Sequence, residues 1–154
     1  MIAYRIGNRA HPLLDGGGAF ASDDARWNSR GRHVIYAAEH YATALVEKAA
    51  QSTSLKLPRT LAYVRIVIPS TTLVEELAPE SLRGWDADDK HVSQAFGDRW
   101  YDEQRSLALI VPSLAAPGLE RNVLINQRHP AFAQVRATRA AALVCHPQGQ
   151  FARR

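Results

Sequence analysis

Nine residues, TLAYVRIVI at positions 60–68, constrain this chain more than any other stretch. Ala62, Val64, Ile66 and Ile68 fall on one side of an extended backbone. Leu61, Tyr63, Arg65 and Val67 fall on the other. Period-two alternation with this β-branched content predicts a strand, and Pro69 ends it. A strand of this kind needs a sheet, so the rest of the chain is read for its other members.

Further strands are expected at 2–6, 34–37, 73–77, 122–126 and 141–145. The run at 107–111, LALIV, is continuously apolar, the mark of a central strand. Pro112 stops it and leaves Ser113 at its carboxyl end. A helix is expected over 40–51. At about 100° per residue, Tyr41, Ala42, Leu45, Val46 and Ala49 gather on an apolar face. His40, Thr43, Glu47, Lys48 and Gln51 fall opposite, with Ala44 among them. Glu47 thus points away from the local core, either into water or into a cleft. A second helix is expected over 90–104, with Val92, Ala95, Phe96 and Trp100 as core contacts. Residues 79–84 and the His129-Pro130 step read as turns or short helices, and Gly16-Gly17-Gly18 as a flexible turn. Strands throughout with helices between them predict an α+β or mixed α/β fold. A chain of 154 residues suits one domain, 1–154, with one core.

The balance of 46% hydrophobic to 22% charged residues is that of a globular protein and excludes a disordered chain. The N-terminus lacks the basic start and long apolar run of a signal peptide. The longest apolar stretch, LALIVPSLAAPGL, is too short to span a bilayer and contains two prolines. A soluble cytoplasmic protein without a membrane partner is expected. The lone Cys145 excludes an internal disulfide, and after Ala-Ala-Leu-Val it reads as a buried, inert thiol. His11, His33, His40, His91, His129 and His146 are scattered without zinc-ligand spacing. No metal is expected.

The net charge of +4 is spread along the chain. Arg26, Arg30 and Arg32 nevertheless share one polar segment with Trp27 and Asn28. A guanidinium grips phosphate oxygens through its planar fork. Trp27 either stacks on a ring of a ligand or anchors the loop in the core. Composition alone favours a solvated basic loop. Ser113 lacks a GxSxG elbow and an acid–histidine pair in triad order, so it reads as a ligand contact rather than a hydrolytic nucleophile. Glu47 alone would rank as a solvated helix acid.

Two blocks change that reading. RWNSRGRHVIYAAEHYATALVE and SLALIVPSLAAPGLERNVLINQRHPAF resemble the two signature blocks of the RES-domain toxins. The opening YRI and the GGGA loop extend the resemblance over nearly the whole chain. The family is named for an arginine, a glutamate and a serine, which map to Arg26, Glu47 and Ser113. Tyr36 matches its active-site tyrosine. Gln127 stands where the family often has proline, and the C-terminal HPQGQFARR matches only loosely.

The resemblance implies an ADP-ribosyltransferase-like fold, with central β-sheets flanked by helices, and chemistry on NAD⁺. It implies the toxin of a type II toxin–antitoxin pair, neutralised by an Xre-family helix-turn-helix antitoxin. NAD⁺ would be substrate, with no prosthetic group. On this reading Glu47 stabilises the oxocarbenium-like ribose, and Arg26 grips the pyrophosphate or a ribose hydroxyl. Tyr36 stacks on nicotinamide or the ribose. Ser113 bonds the nicotinamide side or holds Glu47. Arg5, Trp27, Asn28 and Asn126 are assigned to substrate binding. Water, phosphate or a protein side chain would be the acceptor, giving NAD⁺ breakdown or ADP-ribosylation. A nucleic-acid-binding module, resting on the positive charge and the arginine loop, is the alternative of another class. Direct nucleic-acid binding is not expected, because a basic helix and an RNP-like strand are missing.

Overall fold

The computed structural model describes residues 1–52 and 57–143. Its centre is one continuous sheet of eight strands. They are β1 (Ile2–Asn8), β2 (Val34–Ala38), β3 (Leu61–Val67), β4 (Val74–Glu76), β5 (Ala108–Pro112), β6 (Arg121–Asn126), β7 (Arg136–Ala137) and β8 (Ala141–Ala142). The strand order is β4-β5-β6-β2-β1-β3-β7, and β8 follows β7 along the same edge of β3. Only β4 and β5 run parallel among the described strands. The helices are α1 (Gly17–Ala21), α2 (Tyr41–Ala50) and α3 (His91–Asp102), with 3₁₀ turns at Pro79–Ser81 and Pro130–Gln134. The expected mixed α/β architecture is present, built on one sheet rather than several.

The alternation expected for β3 is realised. Ala62, Val64, Ile66 and Ile68 are buried in the larger core, with Ile35, Ala37, Leu107, Val123 and Ile125. Leu13 and Val135, from irregular segments, close that face. The opposite face of the sheet carries the helices. Val34, Leu109, Val111 and Leu124 pack there against Trp100 and Tyr101 of α3 and against Trp27 and Trp85. Ile6, Ala38 and Leu61 pack against Ala44, Tyr41 and Leu45 of α2. The cleft described below therefore lies on the helix-bearing face.

The helices depart from their expected phases. In α2 the buried residues are Thr43 and Ala44, while Ala42 and Val46 are exposed. Glu47 consequently lies on the inward side of the helix, not opposite its core contacts. Ala42, Ala44, Ala49 and Ala50 contribute little burial energy each, so contacts elsewhere decide how the helix is turned. In α3 the buried residues are Ser93, Gly97, Trp100 and Tyr101, whereas Val92 and Ala95 are exposed. The Trp27 backbone approaches α3 so closely at Gly97 that a Cβ there would sit 1.8 Å from the Trp27 carbonyl oxygen. Gly17 and Gly18 belong to α1 and not to a flexible turn. The expected 141–145 strand is seen as β8; positions 144 and 145, with Cys145 and His146, lie outside the described residues.

Candidate active site

The paired position of β1 and β2 is Tyr4 opposite Ala38. From there the two strands part, and a cleft of about 720 Å³ opens beside the parting. Its size suits a ligand as large as a dinucleotide. Arg5, Arg26, Tyr36 and Glu47 all line it, together with Asn122 and Lys48.

Glu47 enters the cleft from the second turn of α2. The Ser113 hydroxyl donates to Glu47 Oε1 at 2.5 Å, and Asn122 Nδ2 donates to the same oxygen at 2.8 Å. Ser113 is fully buried just past β5, and the Ala116 N–H donates to its Oγ at 3.3 Å. Ser113 therefore makes the second of its two expected contacts, the one that holds Glu47.

The start of α2 is tied to the same region. Thr43 Oγ1 donates to Glu120 Oε2 at 2.5 Å, and His40 Nδ1 lies 2.8 Å from that oxygen. These hydrogen bonds hold the Glu120 carboxyl below its ordinary pKa. Arg121 grips Glu39 with two bonds of 2.7 and 2.8 Å. The Ser113 N–H donates to the Glu120 carbonyl at 2.9 Å. Helix and serine loop are thus locked in one register, which turns Glu47 inward.

The arginine segment divides its charges. Arg30 makes a two-bond pair with Asp23. Arg32 makes a two-bond pair with Asp102 and lies 3.3 Å from Asp98. Arg26 reaches the cleft wall, where Nη1 donates to the carbonyls of Trp85 and Ala87 at 3.1 and 2.9 Å. The basic cluster is therefore largely an internal ion-pair network.

Tyr36 holds this segment down. Its hydroxyl donates to Asn28 Oδ1 at 2.6 Å and accepts from the Trp27 N–H at 3.1 Å. Burial raises the phenol pKa well above its ordinary value. The ring still borders the cleft. Removing the hydroxyl strands a buried amide oxygen and a buried N–H. Tyr36→Phe is expected to lose about 1–3 kcal/mol of stability. Urea denaturation measures it, and an unchanged midpoint and slope would refute the clamp.

Three expected ligand contacts are differently employed. Trp27 is 3% exposed and stacks on Trp85 at 6.0 Å, so its indole anchors the loop although the residue borders the cleft. Asn28 is fully buried and spends its amide on the Ala19 and Ser29 carbonyls. Asn126 is fully buried between the Tyr101 carbonyl and the Arg128 N–H, away from the cleft. Arg5 does line the cleft, and its Nη1 donates to the Asp15 carbonyl at 2.8 Å. Burial lowers its pKa, opposed by the charge of Asp15.

Asn122 borders the cleft as well and was missed. It shares a face of β6 with Asn126, but four residues of strand separate them by about 13 Å. The available signal was register: Asn122 pairs with Val111, two residues before Ser113. Lys90 was also missed. It borders the cleft in a left-handed conformation with φ 60°, and its Nζ bonds the Asp24 carbonyl at 3.1 Å. Among the described residues, no group of three or more His, Cys, Asp or Glu could hold a metal ion. No helix among them is long and apolar enough to cross a membrane.

The chain is similar in sequence and in fold to known proteins. A family model described as the RES domain matches residues 2–148. A protein named Prs ADP-ribosylating toxin, from Sphingobium sp. (strain YBL2), is 35% identical over 139 residues, covering 88% of this chain and 85% of that one. A protein named Toxin Res from Pseudomonas putida is 33% identical over 132 residues, covering 84% and 87%. A chain in the crystal structure of the M. tuberculosis MbcT–MbcA toxin–antitoxin complex has a similar fold. Its TM-score is 0.70 at 20% identity, over 92% of this chain and 83% of that one.

Proposed function

The chain belongs to the RES-domain family, and from that premise we propose that it is a bacterial toxin that breaks the nicotinamide–ribose bond of NAD⁺. The observation carrying this reading is a carboxylate, Glu47, held by two donors in a dinucleotide-sized cleft that Arg26 and Tyr36 also line. Nicotinamide leaves NAD⁺ as a neutral molecule and needs no general acid. The barrier is the positive charge that develops on the ribose, as in glycoside hydrolysis. A fixed carboxylate beside that ribose stabilises the charge and orients the attacking nucleophile. Water as acceptor gives ADP-ribose, nicotinamide and a proton. Inorganic phosphate gives ADP-ribose 1″-phosphate instead.

Arg26 is the proposed pyrophosphate grip, and the Tyr36 ring the surface against nicotinamide or ribose. Arg26→Ala should raise the KM for NAD⁺ about 10–100-fold, the loss of a charged hydrogen bond, with a smaller change in kcat. Unchanged KM and kcat would remove Arg26 from the binding site.

A second reading is transfer of ADP-ribose to a protein, favoured by the name of the Sphingobium relative. Both reactions share every step up to the oxocarbenium ion. Incubation with NAD⁺, with and without phosphate and with cell lysate, separates them. Mass spectrometry then finds ADP-ribose, its 1″-phosphate or a modified protein. Intact NAD⁺ in all arms would reject both readings. The ion pairing of Arg30 and Arg32 weighs against a nucleic-acid module.

The similar fold in a toxin–antitoxin complex supports an antitoxin partner, which we take to be an Xre-family helix-turn-helix protein. The cytoplasm, where NAD⁺ is abundant, is the proposed place of action. Strands drawn from residues 2 to 142 into one sheet support a single domain.

A further inference from the structure

The geometry points to Asn122 as the positioning residue that, with Ser113, occupies Glu47 Oε1 and so presents Oε2 as the oxygen that meets the substrate. The inference rests on the NAD⁺ reading for its kinetics, but the contact itself is independent of substrate. Two donors converge on a single carboxylate oxygen, the Ser113 hydroxyl at 2.5 Å and the Asn122 amide at 2.8 Å. They approach from different strands. Ser113 follows β5, and Asn122 lies in β6, where the ladder places it opposite Val111 and Ala38.

A carboxylate on a helix ordinarily rotates among several rotamers. Two donors on one oxygen select one of them and fix the plane of the group. Charge developing on a bound ribose then meets a carboxylate that does not need to reorganise. Asn122 is better suited to this than a cation. An amide donor orients the carboxylate without neutralising it, whereas a lysine or arginine there would cancel the charge the ribose needs. An aspartate would repel Glu47 and offer no N–H.

The strand position also separates positioning from space filling. Asn122 is half-buried in a central strand, so leucine can fill its place without a donor. Serine leaves space but keeps a donor. A positioning role predicts that Asn122→Leu lowers kcat for nicotinamide release about 10–100-fold, with the KM for NAD⁺ within about threefold. Asn122→Ser should recover much of the lost kcat. A purely structural role predicts the reverse order, with leucine the better replacement.

The test measures kcat and KM for nicotinamide release by the native protein, Asn122→Leu and Asn122→Ser, each first checked for a native thermal transition. In parallel, ¹³C NMR of protein labelled at glutamate carboxyl carbons, with Glu47→Gln for assignment, follows Glu47 without substrate. The Glu47 resonance should move in Asn122→Leu and move less in Asn122→Ser. Native kcat in Asn122→Leu, an effect on KM alone, or an unmoved Glu47 resonance would overturn the inference. A native protein that releases no nicotinamide rejects the NAD⁺ reading instead, and the NMR arm then decides the Asn122 contact by itself.

Discussion

Purified Glu47→Gln protein is expected to release nicotinamide from NAD⁺ about 10²–10³ times more slowly than the native chain. That corresponds to losing about 3–4 kcal/mol of transition-state stabilisation. The substitution is a clean probe because of how Glu47 is held. Ser113 and Asn122 both donate to Oε1. A glutamine that turns its carbonyl oxygen to that position accepts both bonds, and its NH₂ takes the place of Oε2. Shape and packing persist while the negative charge disappears. The thermal midpoint should therefore stay close to the native value as the rate falls. Native-rate cleavage by Glu47→Gln would end the assignment of Glu47 to the ribose charge.

Gly97→Ala is expected to be the most damaging small change outside the cleft. A Cβ on Gly97 would sit 1.8 Å from the Trp27 carbonyl oxygen and 2.8 Å from its carbonyl carbon. Both are backbone atoms, so no flexible side chain can swing aside. Neither partner yields easily. The Trp27 N–H bonds the Tyr36 hydroxyl and its ring stacks on Trp85. On the helix side, Trp100 is fully buried and donates to Ser106 Oγ at 2.7 Å. Overpacking a core costs about 1–3 kcal/mol when side chains can adjust, and here the backbone must move. A loss of about 3 kcal/mol would lower the melting temperature by roughly 6–12 °C for a chain of this size. Arg26 directly precedes Trp27, and a displacement of about 1 Å at a site costs on the order of 10²-fold in rate. Differential scanning calorimetry and the nicotinamide assay read the two effects. A native melting temperature in Gly97→Ala would show that α3 and the Trp27 backbone are not in contact.

The strands were legible because alternation is written into a few adjacent residues. TLAYVRIVI reads as β3 with the correct inward set, and the continuous LALIV reads as a strand buried on both faces. The helices were legible as helices, but not in their rotation. An alanine-rich α2 has no strongly preferred face, and α3 turns Gly97 inward because the Trp27 backbone needs room. Arg26, Tyr36 and Glu47 were named through resemblance to a family, and the structure brings all three to one cleft. Asn28 and Asn126, in the same blocks, hold backbone groups elsewhere.

Strand content, the mixed α/β class and the family-bearing blocks are properties of short stretches, and the chain carries them without reference to its fold. The partnership around Glu47 is of another kind. Ser113 and Asn122 stand 66 and 75 positions from it along the chain. They meet it because β2 pairs with β6, β6 with β5, and Glu120 and Arg121 fasten the start of α2 beside them. Hydrogen-bond donors are interchangeable in a sequence. Which of them faces a given carboxylate is decided by sheet order and packing, as the contrast between Asn122 and Asn126 on one strand shows.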